Sequence, residues 1–186
     1  MLVDAQDNQS MRALERIRKI LSTWFATKRA ISVTFREVIN PTPDADARYT
    51  VAYEAIFEPL SLDQARVELW VTSEGNIGIG FESHKRVAER LGVSSRYDRF
   101  ATGHEPHRMS ETSLLALLDL IADGKIAISC TVIPLKGLIS TKALLLSDCL
   151  DQLVLKDYSP LNWLHGVSQS EFSNQGNLLK YRQWDN

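Results

Sequence analysis

Four stretches of alternating apolar and polar residues follow one amphipathic helix, and together they predict an α+β fold. The expected core is an antiparallel β-meander of about four strands, packed on one face by the N-terminal helix. Further helices and strands are expected in the C-terminal half. The most specific observation is Val67 to Glu82, VELWVTSEGNIGIGFE, which sets its own pairing. A loop of Ser73, Glu74 and Gly75 places Val71 opposite Ile77, Leu69 opposite Ile79 and Val67 opposite Phe81. It also places Trp70 across from Gly78 and Arg66 across from Glu82. Such a loop suits a type I turn closed by a left-handed residue, which Gly75 supplies without steric cost.

The first element is read over residues 10–28, where Leu14, Ile17, Leu21, Trp24 and Phe25 recur at helical spacing and Ser10 is the expected N-cap. Its other faces carry Arg12, Arg16, Arg18, Lys19, Lys28 and Arg29 against the single acid Glu15. The remainder of the chain is therefore net acidic. A solvated helix face covering an acidic body accounts for this, and contact with a polyanion is the alternative.

Ile31, Val33, Phe35 and Ile39 alternate as the first strand, which Pro41 and Pro43 end. Tyr49, Val51, Tyr53, Ala55 and Phe57 form the second. After the hairpin the period changes. Ser83 caps a short helix containing Val87, Ala88 and Leu91, closed by Gly92. Residues 93–109 read as a polar loop rich in arginine and histidine. Ser110 opens a second helix with Leu114, Leu117, Leu118 and Ile121 inward and Gly124 as its stop. Ile126, Ile128, Cys130 and Val132 alternate as a strand, and 138–146 reads as another. Residues 149–155 fit either strand or helix. The segment 159–186 either wraps the domain through Trp163, Phe172, Tyr181 and Trp184 or is partly disordered.

At 186 residues the chain is expected to be a single domain, 1–186, with 44% hydrophobic content typical of a soluble protein. A net charge of −2 argues against bulk nucleic-acid binding. The N-terminus has no basic and apolar signal, and no apolar run approaches the roughly 18 residues needed to span a bilayer. Cys130 and Cys149 lack metal spacing and read as buried thiols in a reducing cytoplasm.

Three features invite chemistry. Gly75, Gly78 and Gly80 resemble a phosphate loop, but Ile77, Ile79 and Phe81 continue a strand between them, so structural glycines are favoured. The space above Gly78 suits the Trp70 ring, which can cover bare backbone. His104, Glu105 and His107 lack the helical i, i+4 spacing of a zinc protease, and Pro106 opposes a helix there. No catalytic residue, metal site or cofactor is assigned. By parity the wet face of the meander displays Thr34, Arg36, Glu54, Glu58, Arg66, Glu68, Trp70 and Glu82. A tryptophan among carboxylates is a fitting protein-binding hot spot, so Trp70, Glu68, Glu82, Glu54, Glu58 and Arg66 are the candidate partner-binding residues. The alternative is that helices of the second half, or the tail, cover this face.

From Glu74 through Met109 the order GNIGIGFE, VAERLG, GHEP resembles small cytoplasmic immunity proteins encoded beside bacterial contact-dependent or polymorphic toxins. Such proteins share no catalytic signature, and the resemblance transfers no functional residue by motif. It implies a non-catalytic partner that covers a cognate toxin's active site. An acidic surface would suit a nuclease toxin with a basic cleft. Two other classes stand beside it. One is a small enzyme or ligand-binding domain with a pocket of His104, Glu105, His107 and Arg108. The other is a nucleic-acid binder using Arg12, Arg16 and Lys19. An uncovered sheet edge or the Trp70 patch would favour a homodimer.

Overall fold

The computed structural model describes residues 3–41, 48–95, 100–133, 137–146, 164–167 and 178–185. Helix α1 runs over Val3–Lys28. It begins before Ser10, which lies inside the helix rather than capping it, because no proline or glycine interrupts residues 3–10. Its Ile17, Leu21 and Trp24 are buried against the first sheet.

That sheet comprises β1 (Val33–Ile39), β2 (Val51–Pro59), β3 (Val67–Thr72), β4 (Ile77–Ser83) and β5 (Phe100–His107), in that order and all antiparallel. The β3–β4 register agrees with the sequence pattern, pairing Val71 with Ile77, Trp70 with Gly78 and Val67 with Phe81. The loop closes through Gly75 N–H to Thr72 O (2.9 Å) and Thr72 N–H to Asn76 O (2.9 Å). Gly75 has φ +80°, the left-handed geometry that the loop requires. Ile31 differs from expectation: it sits in the turn before β1 and is 79% exposed.

The fifth strand is a correction. Part of the stretch read as a polar loop pairs with β4, although Pro106 lies within it. A register shift between Ile77 and Ile79 disturbs the alternation, and β5 is at the sheet edge, where a proline removes no interior ladder bond.

Helix α2 (His84–Leu91) is capped by Ser83, whose hydroxyl accepts from Arg86 N–H, and ends at Gly92 with φ +65°. Helix α3 (Glu111–Ala122) is capped by Ser110, which accepts from Ser113 N–H. A second sheet then forms from β6 (Ile126–Ile133), β7 (Gly137–Leu146), β8 (Leu164–Val167) and β9 (Leu178–Lys180), ordered β8-β7-β6-β9. Only β7 and β8 run parallel. Residues 149–155, Trp163 and Phe172 lie outside the described residues.

The dry face of the first sheet, α1, α3 and β6 share one cluster. Leu69, Ile79 and Phe81 meet there with Leu117, Ile121 and Ile128, all fully buried. Each such side chain contributes about 1.5–3 kcal/mol by leaving water. Phe57 organises the aromatics, with Trp24 edge-on at 5.7 Å and Phe35 stacked at 5.0 Å. Among the described residues no helix is long and apolar enough to cross a membrane.

Candidate protein-binding face

Because the inward residues of β1–β4 join the core, their alternate residues form the outer face. Cross-strand pairing sorts these into rows. Val38, Glu54, Trp70 and Gly78 make one row, and Arg36, Ile56, Glu68 and Gly80 make the next. Helix α3 does not cover this face, since its Leu114, Leu117 and Ile121 belong to the inner core. Exposure varies over this face: Thr34 and Arg36 on β1 are exposed, Glu54 and Trp70 are half-buried, Ile56 between Arg36 and Glu68 is buried, and Glu82 at the end of β4 is fully buried.

Trp70 lies over Gly78. A Cβ at Gly78 would fall inside the indole, on Nε1 and Cε2, so this glycine leaves the space that the ring fills. The sequence-based reason for Gly78 therefore holds: the ring packs onto the strand backbone there.

Most of the carboxylates are held by two arginines. Arg66 binds Glu58 through Nε and donates from Nη2 to Glu68 Oε2 at 2.9 Å. Arg86 donates from Nε to Glu82 Oε1 at 2.7 Å and lies 3.4 Å from Glu58 Oε1. Its Nη2 also donates to the carbonyls of Ser61 (2.9 Å) and Gln64 (3.0 Å). Glu58 thus joins two guanidinium groups into one chain of charges. Charge-assisted bonds of this kind are about twice as strong as neutral ones.

Glu82 differs most from its expected place. Parity along β4 places it on the wet face, but it is buried and cannot touch a partner directly. Its φ of +59° is a left-handed conformation that costs a non-glycine residue about 1–2 kcal/mol. The turn points the carboxylate at Arg86 and at the backbone N–H groups of Ser83 (3.1 Å) and Arg66 (3.4 Å). Burial raises the carboxyl above its ordinary range, opposed first by Arg86 and then by those N–H groups. Arg86 was missed in the sequence; its signal was the four-residue spacing from Glu82 across a capped helix start.

Glu54 behaves otherwise. Among the described residues it has no hydrogen bond or ion pair, while every other acid of the face has an arginine. Burial, then the like charge of Glu68, raises its carboxyl above the usual range; Arg36 opposes them. A half-buried acid that lacks an ion pair, beside the Trp70 indole, is suited to receive a cation.

The remaining candidate features offer less. His104 and His107 lie on β5, paired with Ile79 and Ile77, and among the described residues no three metal-binding side chains cluster. A shallow recess of about 300 Å³ is lined by Gly75, Arg108, Met109 and Ser110, none of them an acid or a base suited to proton transfer at neutral pH. Burial pushes the Cys130 thiol up to about 11, which leaves it protonated and unreactive at neutral pH. On α1, Arg16 pairs with Glu111 (2.5 Å), Arg18 with Glu37 (3.6 Å) and Lys28 with Asp119 (2.7 Å). Three basic residues of the helix thus bind acids of their own fold.

Comparison with protein-family models, with curated proteins and with solved structures returns no match.

Proposed function

We propose that this chain is a non-catalytic protein-binding module, an immunity protein that acts in the cytoplasm and neutralises a cognate toxin by covering its active site. The observation that carries the reading is the row of Glu54 and Trp70. There an acid lacking an ion pair adjoins an indole packed over Gly78, on a sheet face that α3 leaves uncovered. The arginine-locked acids Glu58, Glu68 and Glu82 give this row a rigid support, which lowers the ordering cost of association. A lysine or arginine at the rim of a basic toxin cleft would meet both the carboxylate and the aromatic ring.

The test is association with the protein encoded by the neighbouring open reading frame, measured by calorimetry at two salt concentrations. Binding should weaken with salt, and Trp70→Ala should cost at least about 2 kcal/mol, roughly 30-fold in Kd. Unchanged binding by folded Trp70→Ala, or no association with that product, would remove the proposal.

A further inference from the structure

The segment Leu178–Asp185, LLKYRQWD, is held as a bound peptide is held. Its first residues add a strand to the edge of β6, pairing Leu178 with Ser129, Leu179 with Ile128 and Lys180 with Ala127. Beyond β9 the backbone leaves that ladder and finds partners in two other places. Arg182 N–H donates to Asp63 O at 2.7 Å, and Trp184 N–H donates to Ala122 O at 2.8 Å. The Gln64 side chain donates to Gln183 O at 3.0 Å.

Two aromatic side chains enter sockets. The Trp184 ring stacks on Phe57 at 5.8 Å, and its Nε1–H donates to Ala65 O at 3.1 Å. The Tyr181 ring meets Phe81 edge-on at 5.5 Å, with the Arg90 guanidinium 4.6 Å from its centre. Both residues are at most 5% exposed. Gly124 is shaped to this path: a Cβ there would stand 2.6 Å from Tyr181 O and 2.9 Å from Gln183 N.

We propose that this groove is a peptide-binding site, filled in cis by Leu178–Asp185, which also accepts the same segment from a second copy of the chain. Every recognition element belongs to the body: the β6 edge, the carbonyls of Asp63, Ala65 and Ala122, and the cleared backbone at Gly124. A strand added to a sheet edge with pockets for selected side chains is a general mode of peptide capture. An identical segment from a second copy offers the same donors and rings to these partners, and effective concentration favours the cis arrangement.

The test uses the full chain carrying Trp184→Ala, which loosens its own segment, and a fluorescent octapeptide of sequence LLKYRQWD read by polarisation. The peptide should bind this variant saturably and at least tenfold more tightly than it binds the unaltered chain. A peptide with alanine in place of its tryptophan should not bind. Equal binding to both chains, or no binding to the folded variant, overturns the proposal. So does a variant that fails to fold, because the body must stand without the segment. Native hydrogen exchange on the unaltered chain is the second measurement. The Arg182 and Trp184 amides should exchange at least tenfold faster than those of β3, and equal rates would contradict a separable segment.

Discussion

Glu54 and Glu82 show how differently one fold can treat two acids on the same face. Glu82 is enclosed by Arg86 and backbone donors. Glu54 has Arg36, without an ion pair, to offset Glu68 and its own desolvation. The raised carboxyl of Glu54 means that the folded chain holds this proton more tightly than the unfolded chain does. Its favourable contribution is therefore present at low pH and is lost as pH rises through the folded value. Glu54→Gln should accordingly raise the thermal midpoint at pH 7 and leave it unchanged near pH 4, as read by calorimetric scans. Gly78 makes the complementary point about space. Gly78→Ala must displace the Trp70 ring, and such overpacking should cost about 1–3 kcal/mol in urea denaturation.

Among the elements, the β3–β4 hairpin was legible because alternation, loop length and a glycine at the left-handed position agree on one register. Gly75→Ala should destabilise by about 1–2 kcal/mol, since the loop still demands positive φ; chemical denaturation measures it. The caps Ser83, Gly92 and Ser110 were legible for the same reason: each is a local signal with a local cause. Strand β5 was not, because Pro106 and the Ile77/Ile79 register shift break the period that marks a strand. The corner between β4 and α2 was half legible. Ser83 announced the cap, but nothing local indicated that Glu82 would turn inward to Arg86. Arg86→Ala leaves that carboxylate buried without its partner, which should cost about 3–5 kcal/mol at neutral pH. The loss should shrink on acidification as Glu82 takes up a proton, and pH-dependent unfolding curves will register the difference.

At the scale of the molecule, the α+β class and the covering role of α1 followed from periodicity, which depends on neighbours in sequence. The distribution of charge did not follow so directly. The basic residues of α1 looked available for a polyanion, yet Arg16, Arg18 and Lys28 meet acids that lie far away in the chain. The same holds for the outer face, whose carboxylates looked uniformly displayed until Arg66 and Arg86 were placed among them. Among the described residues, tertiary pairing thus leaves Glu54 as the acid of this face that no arginine holds. The most direct measurement is the affinity of Glu54→Gln for the neighbouring gene's product, taken beside its thermal midpoint at pH 7. The expected result is a more stable chain that binds at least tenfold more weakly. A variant that is more stable and binds as well as the unaltered chain would contradict it.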